Sequence, residues 1–173
     1  MRTPDLFSFT REGVAFRCDV SRDLDSGYPW DTDDGIGVVV AVNPALKRPR
    51  WIHLLDGSRS NLVYDRRATI AKAKREGWGV DTTDYPNLSK QQTVFQSVDI
   101  DCEYCKDWLQ ELRYYVVLRV STDLFPGQDE YLGGVEASFY PNDGTDAYIK
   151  SCANDLADEI LRNNNHEPHL EQQ

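Results

Sequence analysis

No run of roughly 18 apolar residues occurs anywhere in the 173-residue chain, which leaves no candidate for an ordinary membrane-spanning helix. The opening stretch, Met1 to Leu6, lacks a basic segment leading into a long apolar one, so no export signal is expected. Histidine is scarce, with three residues (His53, His166, His169), and cysteine is limited to four (Cys18, Cys102, Cys105, Cys152). Without an export signal, four cysteines read as reduced thiols in a cytoplasm rather than as a disulfide frame. No Ser/His/Asp set, phosphate-cradling glycine loop or paired histidine can be assembled, so an enzyme is disfavoured and no cofactor is expected. What remains is binding.

Positive charge is also in short supply, 19 Lys/Arg against 29 Asp/Glu for a net charge of −10, yet it is concentrated. Residues 41–78 hold nine of the 19 (Lys47, Arg48, Arg50, Arg59, Arg66, Arg67, Lys72, Lys74, Arg75) and three acids (Asp56, Asp65, Glu76), a local balance of +6 that leaves −16 elsewhere. A polarised field steers charged partners and governs association rates more than it governs folding. With a pI near 4.7, most of the surface should repel nucleic acid and anionic lipid.

A chain of this length can bury a core without metal or disulfide help, and one domain is expected over 1–162 with a disordered polar tail over 163–173. Val14, Phe16, Cys18 and Val20 alternate with Ala15, Arg17 and Asp19 as a strand with one buried face. Ile36–Val42 is almost wholly apolar and β-branched, as a central strand covered on both faces would be. Asp56-Gly57 between Arg50–Leu55 and Asn61–Tyr64 is a hairpin signal. Asp65 as N-cap and Gly77 as stop bracket a short basic helix, and Ser89-Lys-Gln-Gln92 opens a longer one as a capping box. That helix carries the stripe Val94, Val98, Cys102, Cys105, Leu109 and Leu112. Strands over Tyr114–Val120 and Leu132–Tyr140 form a hairpin, and a final helix capped at Asp143 or Thr145 buries Ile149, Cys152, Ala153, Leu156 and Ile160. Hairpins in place of regular βαβ alternation predict an α+β fold, one mainly antiparallel sheet with about three helices on one face.

Cys102-Glu-Tyr-Cys105 is a CxxC, but both thiols fall on an apolar helix stripe, where cysteine acts as a small hydrophobe, so no metal is assigned. Asp31–Gly35 resembles part of a calcium loop, yet counting back from Gly35 puts Trp30 and Thr32 where carboxylates are required. His53 reads as a partly buried strand residue. Two binding surfaces remain. Acids on the long helix (Asp101, Glu103, Asp107, Glu111, with Asp99) and on the last helix (Asp155, Asp158, Glu159) could imitate a phosphate backbone and occupy a basic groove of a partner. Tyr28 and Trp30 in the 23–35 turn are candidate anchors if exposed, and core plugs if buried. Alternatively Lys47, Arg48, Arg50, Arg66, Arg67, Lys72, Lys74 and Arg75 form a phosphate-binding patch on which Trp51 or Trp78 could stack bases.

Tyr28-Pro-Trp-Asp…Asp34-Gly-Ile-Gly37, Leu55-Asp-Gly-Ser-Arg-Ser-Asn-Leu-Val-Tyr64-Asp65, Ala71-Lys-Ala-Lys-Arg-Glu-Gly77-Trp78-Gly79 and Leu156-Ala-Asp-Glu-Ile160 together resemble a widespread set of small uncharacterised proteins of tailed bacteriophages. The likeness spans most of residues 27–162 and departs from the pattern at Cys102 and Cys105, where an apolar residue is expected. The resemblance implies a phage product acting in the host bacterial cytoplasm, in the category that includes anti-CRISPR and anti-restriction inhibitors. The expectation is therefore a non-enzymatic inhibitor that binds a nucleic-acid-handling defence complex through acidic helices. The alternative is a small nucleic-acid-binding or regulatory protein using the 47–75 patch, and the second alternative an enzyme or metalloprotein.

Overall fold

The computed structural model describes residues 6–32, 36–43, 45–46, 51–55, 61–79, 86–140 and 144–165. The fold is α+β; among the described residues every strand pair is antiparallel and there are three α-helices. The strands are shared between two sheets rather than one, and the chain divides into two compact units, Met1–Ser26 with Leu112–Gln173, and Gly27–Glu111. The second unit is thus inserted between two paired strands of the first.

In the first unit β1 (Leu6–Arg11), β2 (Val14–Arg22), β6 (Arg113–Ser121) and β7 (Glu130–Ser138) form a sheet in the order β1-β2-β6-β7. Glu12 and Gly13 both take positive φ (49° and 81°), as a two-residue primed hairpin turn requires. Alternation puts Phe16, Cys18 and Val20 of β2 and Val116, Leu118 and Val120 of β6 on one face. Against that face packs α3 (Thr145–Asn165), which buries Ile149, Cys152, Ala153, Leu156 and Ile160 as its spacing predicts, and Ala157 and Leu161 as well. Leu118 and Ile160 are almost fully enclosed, each worth about 1.5–3 kcal/mol of transfer free energy. The helix runs to Asn165, so part of the 163–173 tail is ordered helix, and residues 166–173 lie outside the described residues.

In the second unit β3 (Val39–Val42), β5 (Asn61–Asp65) and β4 (Trp51–Leu55) form a sheet with β5 in the middle. The β3 segment is therefore an edge strand and not the central one its apolar run suggested; only half-buried, it lies beside β5, whose Val63 and Tyr64 are fully buried. The β4–β5 hairpin forms as expected, although its Asp56-Gly57 turn lies outside the described residues. His53 on β4 is exposed, not slotted into the core. α1 (Arg66–Glu76) is capped by the Asp65 carboxylate, which accepts from the Ala68 amide at 3.0 Å, and closes at Gly77 with φ 77°. α2 (Lys90–Leu109) opens with the Ser89/Gln92 capping box and buries Val94, Val98, Cys102, Cys105 and Trp108. Among the described residues no helix is long and apolar enough to cross a membrane.

The four cysteines are free and buried, Cys18 and Cys152 in the core of the first unit, Cys102 and Cys105 in that of the second. Burial raises the Cys18 and Cys102 thiols to about 11, and Cys105 is raised further, which makes them poor nucleophiles at neutral pH.

Candidate functional site

The charge asymmetry of the sequence becomes an asymmetry between units. Residues 27–111 contain 11 Lys/Arg and 13 Asp/Glu, a balance of −2, which leaves −8 for the unit that contains the termini. The nearly neutral unit holds the basic residues, and α1 sorts them by direction.

Arg66, Ile70 and Lys74 follow one another at intervals of four on α1, with Arg67 one residue over, so all four border the same groove. Phe95 of α2 forms the opposite wall, and the groove encloses about 400 Å³. Arg66 is held in place twice, its guanidinium 5.8 Å from the Phe95 ring centroid and its Nε donating to Asp99 Oδ1 at 3.0 Å. Arg67 and Lys74 are exposed and form no ion pair among the described residues. The result is two available cations and one oriented guanidinium around an apolar ring, a combination that can hold a phosphate beside a stacked base.

Other members of the predicted basic set are elsewhere. Lys72 is a correction: its side chain is buried and its ammonium donates to the Ile36 carbonyl at 2.9 Å, because position 72 falls on the inward face of α1 with Thr69 and Ala73. Arg75 turns to Glu76 at 3.3 Å. Lys47, Arg48 and Arg50 lie outside the described residues. Neither proposed stacking tryptophan borders the groove; Trp51 donates to Asp65 Oδ2 at 3.3 Å and Trp78 to Glu76 Oε2 at 3.2 Å.

The acidic set is likewise divided. Asp101 does not stand on an outer helix face: its Oδ2 accepts from the Tyr64 hydroxyl at 2.6 Å and the Gly37 amide at 2.9 Å. Position 101 follows Val98 by three and precedes Cys105 by four, which turns it toward β5 at the margin of the buried stripe. Burial raises its pKa against the opposing pull of those two donors and of Lys72. Glu103 pairs with Lys106 at 2.6 Å, and Asp158 accepts a two-pronged contact from Arg11 at 2.5 and 2.6 Å. Asp107 is half-buried and Glu111 exposed with φ 58°. Asp155 and Glu159 stay exposed on the outer side of α3. Tyr28 and Trp30 stack face to face with centroids 4.5 Å apart; Tyr28 is exposed, and Trp30 packs partly into the core of the second unit.

Beside Asp101 a second, shallower cleft of about 270 Å³ is lined by Ile36, Trp78, Ser97, Ile100, Asp101 and Tyr104. Phe95, Ile70, Tyr64 and Tyr104 border or support these clefts without having stood out in the sequence as site residues. For Phe95 a signal existed, an aromatic one position off the apolar stripe of α2.

No family model, curated protein or solved structure matches the chain. The geometry of these clefts and the distribution of charge are what a functional reading has to be built from.

Proposed function

We propose that the chain is a non-enzymatic binding protein whose α1–α2 groove takes single-stranded nucleic acid, a phage-encoded factor acting in the cytoplasm of a bacterial host. The observation that carries this reading is the grouping of Arg66, Arg67 and Lys74 around Phe95 in one groove of about 400 Å³. Flexible single strands can lay one base on an apolar ring and its phosphates on flanking cations, whereas a duplex keeps its bases paired and stacked and offers none to the ring. The decisive experiment is fluorescence anisotropy of a short labelled single strand against the wild type and the double reversal Arg67→Glu/Lys74→Glu. Two or three phosphate contacts predict a salt slope of about −1.4 to −2.1 in log K against log salt. The reversal should weaken binding by at least about tenfold, or roughly 1.4 kcal/mol. Undiminished binding by the reversal, or a slope near zero, defeats the proposal.

A second reading is favoured by the −8 balance of the first unit and by Asp155 and Glu159 exposed on α3. In it the protein inhibits a host nucleic-acid-handling defence complex of the anti-CRISPR or anti-restriction type, with its acidic face competing for the complex's basic groove. The sign of the partner separates the two, since a mimic displaces nucleic acid from its target without binding it.

A further inference from the structure

The cleft beside Asp101 has a composition opposite to that of the basic groove. Its walls are the half-buried rings of Trp78 and Tyr104, its apolar sides are Ile36 and Ile100, and a carboxylate is its charged group. The Asp101 side chain is anchored through a single oxygen: Oδ2 accepts from both Tyr64 and Gly37, while Oδ1 accepts no hydrogen bond among the described residues. Gly37 is the reason the loop can approach so closely, since a Cβ there would overlap the Asp101 carboxylate and the Tyr64 ring. The carboxylate is thus fixed in direction with one oxygen uncommitted. Lys72 acts on it from α1, but its ammonium is engaged by the Ile36 carbonyl.

From this geometry we infer that the Asp101 cleft receives an arginine side chain of a partner protein, the guanidinium on Asp101 Oδ1 and the aliphatic stem along Trp78 and Tyr104. Charge complementarity selects a cation, and the aromatic walls select one that is planar and weakly hydrated. A guanidinium stacks on indole and phenol rings while one edge donates to the uncommitted carboxylate oxygen, whereas an ammonium keeps a tighter water shell. An arginine with a packed stem in a partly desolvated pocket is also the kind of residue that anchors protein interfaces. The inference goes beyond nucleic-acid binding in the α1–α2 groove and does not depend on it, because the two clefts share no lining residue among the described residues.

The test is an NMR titration of the full chain with three short Gly/Ser peptides that differ only in a central arginine, citrulline or lysine. The arginine peptide should shift the Trp78 indole and Tyr104 ring signals saturably. The citrulline peptide, nearly the same shape without charge, should bind at least tenfold more weakly, and the lysine peptide should fall below arginine. Asp101→Asn should reduce arginine binding at least tenfold. Citrulline matching arginine, lysine matching arginine, shifts that map to Asp155 and Glu159 instead, or a folded Asp101→Asn protein that binds as the wild type does would each overturn the inference. If Asp101→Asn does not fold, the three peptides on the wild type still decide it. A single-strand titration in the presence of saturating arginine peptide separates the clefts, because loss of one binding event leaves the other readable.

Discussion

The Tyr64 hydroxyl donates to Asp101 Oδ2 at 2.6 Å, tying the middle strand of the second unit to its longest helix through a residue that is fully buried and one that is only partly so. The same hydroxyl lies 3.1 Å from the Val98 carbonyl one turn earlier on α2. Tyr64→Phe keeps the ring in the core and removes the hydroxyl with its contacts to Asp101 and Val98. It should cost about 1–3 kcal/mol, because a partly desolvated carboxylate loses a donor that water replaces poorly. A urea titration read by tryptophan fluorescence measures the loss, and a change below about 0.5 kcal/mol means that the pair does not help to hold α2 on the sheet.

Gly37 meets the same carboxylate from the loop before β3, and the space a methyl group would need is already filled by Asp101 and the Tyr64 ring. Gly37→Ala therefore forces the loop away from α2 or turns Tyr64 aside. Overpacking of this kind costs about 1–3 kcal/mol. The melting temperature should fall, and the Asp101 carboxyl should titrate closer to its ordinary value as water reaches it. A melting temperature equal to that of wild type would show that the loop yields freely.

Two aspartates should give opposite slopes of stability with pH. Burial raises Asp101 above the ordinary aspartate value, so its contribution is fully present below that value and is lost as pH rises through the raised one. The hydrogen bonds from Arg11 lower Asp158, so its contribution is present above the ordinary value and is lost as pH falls through the lowered one. Asp101→Asn should flatten the decline on the side above the ordinary value, and Asp158→Asn should flatten the acid limb. Carboxyl NMR titration of both residues checks the directions, and an Asp101 value at or below the ordinary one refutes the first half.

Local signals in the sequence were strong where the physics is local. The Ser89/Gln92 capping box, the Asp65 cap, the Gly77 stop and the apolar stripes of α2 and α3 all depend on residues within four positions of one another, and each lies where its spacing placed it except at the end of α2, where Trp108 is buried instead of Leu109 and the helix stops before Leu112. The sequence pattern does not single out β1, although Phe7 and Phe9 alternate inward and Glu12-Gly13 suits a tight turn. Leu6 beside Phe7 breaks the alternation, which leaves Phe7 and Phe9 alone to carry it. What stayed hidden was long-range. The run at 36–42 looks central because it is apolar, but its place in the sheet depends on which strands pair, and β5 took the middle. Asp101 and Lys72 read as surface charges because no short pattern reveals that Tyr64, Gly37 and the Ile36 carbonyl wait for them 35 or more positions away in the chain. The groove was legible only as composition, since Phe95 joins it through the packing of α1 on α2.

The two functional readings make opposite predictions for the same pair of variants. If the groove binds nucleic acid, Arg67→Glu/Lys74→Glu abolishes the salt-dependent anisotropy signal, and Asp155→Lys/Glu159→Lys leaves it unchanged or strengthens it by making the protein's net charge less negative. If α3 imitates a phosphate backbone, the α3 reversal instead slows association with a basic protein target and flattens its salt dependence, because exposed rim charges act mainly on the on-rate. Neither variant should disturb folding, since Arg67, Lys74, Asp155 and Glu159 are all exposed and α3 keeps its buried stripe. Stopped-flow association with a labelled single strand and with a basic nucleic-acid-binding protein, each at two salt concentrations, measures all four rates. Should the α3 reversal change the protein-target rate while the groove reversal leaves the single-strand rate untouched, the groove loses its role and the acidic face takes it. The reverse pattern removes the mimic, because a surface that steers a basic partner cannot lose two carboxylates without slowing the encounter.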